Sequence, residues 1–214
     1  MRNLPGVFAM AAIVVASNIL VQFLILDGLL TWGAFTYPLA FLVTDVMNRV
    51  YGVAAARRVV LAGLVVGIVC SLIGTQITLQ GDGFTYQAVA VRVAIGSATA
   101  FAVAQLLDIA VFNRLRDGSW WKAPLASTLV GSTVDTAIFF SVAFAGIFNG
   151  ILPRLDEEIV WAQELAPFLL VGPEVPLWVT LGVADWGVKV GIALLALVPF
   201  RVLTARMTAS HKIV

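Results

Sequence analysis

Six apolar runs, each about twenty residues long, follow one another through the chain with short polar connections between them. A run of that length spans the hydrocarbon core of a bilayer as a helix, because a helix satisfies its own backbone hydrogen bonds where no water is present. Such runs exclude a soluble globule. The 214 residues are 61% hydrophobic and 12% charged, where a soluble domain carries about 25% charged residues. Six spans of about twenty residues leave only short loops. The sequence therefore predicts an all-α integral membrane protein, with residues 1–214 forming a single six-helix transmembrane domain. The apolar start, MRNLPGVFAMAAIVVASNILVQFLIL, is too long for the core of a signal peptide and reads as an uncleaved first helix.

The expected spans are Gly6–Leu26, Leu29–Met47, Val59–Leu79, Ala88–Phe112, Ala123–Phe148 and Pro176–Phe200. Gly63 and Gly67 have the small-xxx-small spacing that lets helices approach closely. Asn48–Arg58 reads as a polar loop. In the connection 149–172, Pro153 and the acids after it predict a short interfacial helix. With the N-terminus inside, the inner segments hold Arg2, Arg49, Arg57, Arg58, Arg114, Arg116, Lys122, Arg201, Arg206 and Lys212. The outer segments hold Arg154, while Arg92 and Lys189 fall within helices. This bias places both termini in the cytoplasm. Trp120, Trp121, Trp161 and Trp178 lie near the expected boundaries, where an aromatic belt sits.

Within the spans or at their ends stand Asp45, Arg92, Asp108, Asp135, Asp185 and Lys189. Each charge at the middle of a spanning helix costs about 2.5–3.5 kcal/mol on the insertion scale. Such groups pair, face water or serve a ligand. Asp185 and Lys189 are four apart with the acid first, the order in which they neutralise each other. Asn18 and Gln22 share a face of the first helix, where interhelical hydrogen bonding is the plain alternative to a ligand role. Asp45 lies near arginines and fits an inner-face ion pair as well as a site. Asp135, near the midplane, has no cation on its own helix, so a structural role requires one from another. A weak repeat aligns QLLDIAVF (Gln105–Phe112) with STVDTAIF (Ser132–Phe139).

The chain contains no P-loop and no zinc-ligand spacing, and its one histidine, His211, is in the tail. Cys70 is its one cysteine, which excludes an intrachain disulfide. No catalytic residue, metal or cofactor is expected, and the chain does not read as an enzyme. Acids, amides and a lysine at midplane suit a small polar solute: a carboxylate accepts two parallel N–H bonds from a guanine-like edge, and amides read carbonyls and ring nitrogens. Other polar solutes and a proton relay fit the same residue types.

TYPLAFLVTDVMNRVYG (Thr36–Gly52), with AARRVV (Ala55–Val60), resembles the signature of the queuosine precursor transporter family, also called the VUT family. ASNILVQ (Ala16–Gln22) is similar to its first helix, and the stretches Val91–Arg116 and Trp120–Phe144 to its fourth and fifth. The resemblance implies six helices in a bacterial inner membrane and import of 7-cyano-7-deazaguanine or its aminomethyl relative, 7-deazapurines that feed tRNA modification. By motif it implies a site drawing on Asn18, Gln22, Asp45, Asn48, Arg92, Gln105, Asp108, Asp135 and Lys189. The implied partners are that small molecule and membrane lipid, without nucleic acid, and a homodimer is an open option. The sequence departs from the family pattern at Arg49, where many members carry an acid, and at Ala196–Pro199, where many carry Asp-Thr-Pro. The rival expectation is a membrane-integrated binding subunit of a multi-component vitamin or nucleobase importer.

Overall fold

A computed structural model describes residues 3–21, 23–26, 28–81, 85–151 and 153–211. Helix α1 (Leu4–Leu20) is followed by a two-residue hairpin, β1 (Leu24–Ile25) and β2 (Leu30–Thr31), then by short α2 (Gly33–Thr36), α3 (Leu39–Tyr51) and α4 (Val53–Gly74). A second hairpin, β3 (Thr78–Gln80) with β4 (Thr85–Gln87), leads into α5 (Val91–Leu115) and α6 (Lys122–Phe144). The longest connection holds α7 (Pro153–Asp156), 3-10 turns and a third hairpin, β5 (Leu165–Pro167) with β6 (Glu174–Pro176); α8 (Leu177–His211) closes the fold. The described chain is thus mostly helical. Helices α4, α5, α6 and the stretch Leu177–Ala209 of α8 are long and apolar enough to cross a membrane. Their outward faces are apolar, with Leu61 and Leu72 on α4 and Leu195 and Val198 on α8 exposed.

The helices differ from the sequence-based map where backbone chemistry interrupts an apolar run. The first helix ends at Leu20 rather than Leu26, and the chain reverses through positive φ at Leu26 and Gly28. The second expected helix is split at Tyr37–Pro38. Proline supplies no backbone N–H, and the bonds across the break tighten to Ala40 N–Tyr37 O (3.0 Å) and Phe41 N–Pro38 O (3.1 Å). The expected loop Asn48–Arg58 is largely helical. Gly52 alone, at φ 84° and ψ 175°, ends α3 and starts α4, a conformation essentially confined to glycine that costs a residue with a Cβ about 1–3 kcal/mol. Arg57 and Arg58 consequently ride exposed on the first turns of α4. A short helical segment does lie in the connection 149–172, at 153–163, joined there by the unforeseen β5–β6 hairpin.

Small residues set the packing. A Cβ on Gly63 would lie 2.6 Å from Met10 Cγ, and one on Gly67 would lie 3.3 Å from Val14 Cγ1, so the glycine spacing is where α1 seats on α4. Between α5 and α6, a Cβ on Gly96 would lie 3.2 Å from the backbone of Ala143 and Phe139. The largest core cluster joins α1, α3, α4 and α5 through Met10, Met47, Val59, Phe101 and Ile109. A second, through Val46, Phe112, Ala123 and Phe200, ties α3, α5, α6 and α8 together at one end.

At that end Arg49 donates to Arg116 O (2.8 Å), and Arg116 donates back to Arg49 O (3.1 Å) and to Asn48 O. The two guanidinium groups bind carbonyls at the C-terminal ends of α3 and α5. Arg201 lies over the Trp120 ring at 4.7 Å. The start of α1 is at this same basic end, where Gly6 packs on Met47.

Candidate functional site

Helix α6 carries a polar stripe, Ser127, Thr128, Ser132, Asp135 and Thr136, that is buried along its whole length. Residues three and four apart lie on one helix face, so the stripe is continuous. Gly131 lies within it: a Cβ there would sit 2.7 Å from Phe41 Cε1 and 3.4 Å from Ala104 O. The missing side chain lets α3 and α5 close onto the stripe. Two polar centres form along it.

The first centre is at the α3–α5–α6 junction. Asp45 Oδ1 accepts from Ser127 (3.1 Å) and Oδ2 from Thr128 (3.1 Å). Thr44 donates to Gln105 Oε1 (2.6 Å), and Asn48 Nδ2 donates to Ile109 O (3.3 Å). These bonds orient the amides and leave their other ends open. Asn48 Oδ1, Gln105 Nε2, both oxygens of Asp108 and Ser132 Oγ are buried without a hydrogen-bond partner among the described residues. Asp108 is 0% exposed. An unsatisfied buried polar group costs about 1–3 kcal/mol, and more when charged. Several at one junction, donor and acceptors together, are the chemistry of a polar ligand site. Beside it, Pro38, Leu42, Asp45, Thr128 and Ala193 line a cavity of about 10 Å³, room for roughly one water. A solute larger than water enters only when the helices part. Phe200 also lines this cavity and, on its other side, an open cleft between Arg49, Trp120 and Arg201.

The second centre lies farther along α6. Lys189 Nζ pairs with Asp135 Oδ2 (2.8 Å) and Asp185 Oδ2 (2.5 Å) and donates to Thr136 Oγ1 (3.0 Å). Tyr37, at the α2–α3 break, donates to Asp135 Oδ1 (3.0 Å), and Thr136 donates to Asp185 (3.0 Å). The i, i+4 pair expected from the sequence is present, and Asp135 receives its cation from α8.

The remaining candidates are placed elsewhere. Asn18 Nδ2 donates to Val14 O (2.9 Å), and Asn18 Oδ1 accepts from Ser71 on α4 (3.5 Å). Gln22 lies outside the described residues. Arg92 is satisfied at the far end of α5 by Asp156 (2.8 Å), Asn149 (2.9 Å) and the carbonyls of Val142 (3.2 Å) and Ala145 (3.0 Å). It fastens the connection after α6 and reaches neither centre. The ion pair considered for Asp45 is absent among the described residues, since its partners are hydroxyls. Ser127, Thr128, Ser132, Tyr37 and Thr136 were not singled out from sequence as site residues, whereas Thr44 stood out with Asp45 and Asn48 at the end of an apolar run. Hydroxyl residues are common in membrane helices, and only the polar stripe on α6 could have marked four of them.

A family model with the description "Putative vitamin uptake transporter" matches residues 31–204. The chain is 40% identical over 141 residues to the "Queuosine precursor transporter" of Escherichia coli (strain K12), covering 62% of this chain and 64% of that protein. It is 40% identical over 140 residues to a "Probable queuosine precursor transporter" of Haemophilus influenzae, covering 62% and 57% of the two chains. The corresponding protein of Bacillus subtilis is 34% identical over 132 residues, covering 55% and 58%. The match thus spans less than two thirds of the length of these relatives. No solved structure matches the chain. Because the family model takes in both polar centres and every helix from α3 to α6 whole, with most of α8, this multi-pass membrane protein belongs to the VUT family of transporters.

Proposed function

We propose that this protein imports a queuosine precursor, 7-cyano-7-deazaguanine or its aminomethyl relative, across a bacterial inner membrane. The names of its relatives support the solute class. The observation that carries the reading is the set of unpartnered groups at the α3–α5–α6 junction. A 7-deazaguanine edge presents a ring N–H and an exocyclic amino group side by side, with a carbonyl next to them. Asp108, with two free oxygens, accepts the parallel N–H pair; Gln105 Nε2 donates to the carbonyl. Asn48 Oδ1 and Ser132 Oγ take the remaining polar atoms. Asp45, held by Ser127 and Thr128, fixes the wall behind them.

In this reading the chain is one transport unit with six passes. Helix α1, at 17 residues, is at the short limit for a span, and α2–α3 form one interrupted pass. Interrupted helices at midplane are where transporters place their sites. The clustering of Arg49, Arg116 and Arg201 with the start of α1 and the end of α8 supports both termini facing the cytoplasm. Transport proceeds by alternating access. The closed junction is the occluded form, and Phe200, between the small cavity and the inner cleft, is the inner barrier. Pro199, which interrupts the hydrogen-bond ladder of α8 beside it, supplies the flexibility to move that ring.

The test is rescue of queuosine in the tRNA of cells that neither make nor import its precursors. Expression with added 7-cyano-7-deazaguanine restores the modified tRNA on a boronate gel. Asp108→Asn, at equal membrane abundance, restores none. Rescue by that variant at the wild-type level refutes the site, and failure of the wild type in the membrane refutes the solute.

A further inference from the structure

The junction accounts for one polar centre and leaves the other without a task. Lys189 stands between Asp135 and Asp185, with Tyr37 and Thr136 completing the shell. The titratable groups in contact are Tyr37 from the α2–α3 break, Asp135 from α6, and Asp185 and Lys189 from α8. Two carboxylates and one ammonium leave a net negative charge, and Lys189 and Asp135 are each only 3% exposed. A structural device needs one carboxylate, because Asp135 and Lys189 alone make a neutral pair. The second acid adds a charge that a membrane interior opposes, and one proton removes it.

Position links this centre to the substrate junction. Asp135 is one turn from Ser132, whose hydroxyl is unpartnered at the junction, and Tyr37 adjoins Pro38, which lines the cavity beside Asp45. 7-Cyano-7-deazaguanine is uncharged at neutral pH, so membrane voltage does no work on it. A carrier that concentrates it must move something else with it.

We infer that Asp135, Lys189 and Asp185 form the site of a co-transported proton, making the protein a proton–substrate symporter; this rests on the uptake reading above. The proton joins a carboxylate oxygen when the centre faces the outside, and Lys189 keeps its bond to the other carboxylate. The O–H breaks again when the centre faces the cytoplasm, and the proton leaves to water. The centre crosses inward only when protonated with substrate bound; emptied of both it returns, and the form that carries substrate without the proton is held back.

The test uses the purified full chain in liposomes with 7-cyano-7-deazaguanine. Counterflow at equal pH on both sides reads uptake without coupling. An inward proton gradient, with voltage clamped by potassium and valinomycin, reads coupling. With one proton per substrate, a pH difference of about one unit supports accumulation up to about tenfold. The wild type is expected to accumulate substrate and to lose that accumulation with a protonophore. Asp185→Asn is expected to keep counterflow and accumulate nothing. A dye in the lumen of wild-type vesicles, which needs no variant, is expected to report acidification when substrate enters down its own gradient. Counterflow without gradient-driven accumulation or acidification overturns the coupling alone, as does accumulation by Asp185→Asn at the wild-type level. Absence of counterflow in the wild type overturns the uptake reading and the coupling with it.

Discussion

Asp108 and Arg92 are both buried charged residues on α5, and the structure gives them opposite characters. Every polar contact of Arg92 serves the fold: an acid, an amide and the Ala145 carbonyl from the connection after α6, and the Val142 carbonyl near the end of α6. Arg92→Ala strips the cation from Asp156 and frees those carbonyls. The expected cost is about 3–5 kcal/mol, seen as a lower melting temperature in detergent and faster proteolysis within 149–163. The KM of the surviving protein should stay near the wild-type value, and a KM raised tenfold would return Arg92 to the site. Asp108 has neither a cation nor a backbone carbonyl as partner; its neighbours are the Asp45 carboxyl and the Ser127 hydroxyl. Asp108→Leu removes an unsatisfied group and puts an apolar one of similar length in its place. It should raise stability by about 1–3 kcal/mol while abolishing uptake, read by the same melt and by tRNA rescue. Loss of stability in that variant would mean that Asp108 holds the helices together. The sequence marked both residues as charges needing an explanation. It could not distinguish them, because the partners of Arg92 lie 50 to 64 positions away.

At the scale of the helix, close approach decides whether the junction exists. Phe41 of α3 and Ala104 of α5 meet over Gly131 of α6, where no side chain intervenes. Gly131→Ala places a methyl 2.7 Å from the Phe41 ring, closer than atoms sit without displacement. Overpacking of this kind costs about 1–3 kcal/mol. Uptake should fall in Gly131→Ala, and Phe41→Leu in the same chain should recover much of it by vacating the ring's place. If the double variant were no better than the single, the contact would be irrelevant to the site. Length and hydropathy located α5, α6 and α8 to within a few residues at most of their ends, since an uninterrupted apolar run has little choice but to be a helix in lipid. They failed at Pro38, Gly52 and the end of α1, because a single residue that breaks a helix barely alters the hydropathy of a run. Those three places were still legible through their chemistry: a proline without an N–H, a glycine free to take positive φ, and an Asp-Gly pair.

For the whole molecule, access to the junction should belong to one side at a time, and Phe200 gives a way to observe this. The ring is 2% exposed, packs on Phe112 with centroids 6.1 Å apart, and separates the cavity beside Asp45 from the cleft at the basic end. Ala193 lines that cavity and is buried. Cys70 is the chain's one cysteine, so Cys70→Ser gives a thiol-free background in which Ala193→Cys reports the cavity alone. In that background a membrane-impermeant maleimide should label position 193 slowly from either side. Adding Phe200→Ala removes the ring and should speed labelling at least about tenfold in inside-out vesicles, a barrier lowered by about 1.4 kcal/mol or more. Intact cells carrying the same variant should label no faster than before, because the opening leads only to the cleft of Arg49, Trp120 and Arg201. Faster labelling from outside would place the basic end in the periplasm and reverse the proposed orientation, whereas equal rates with and without Phe200 would assign the barrier to the closure of α3 on α6.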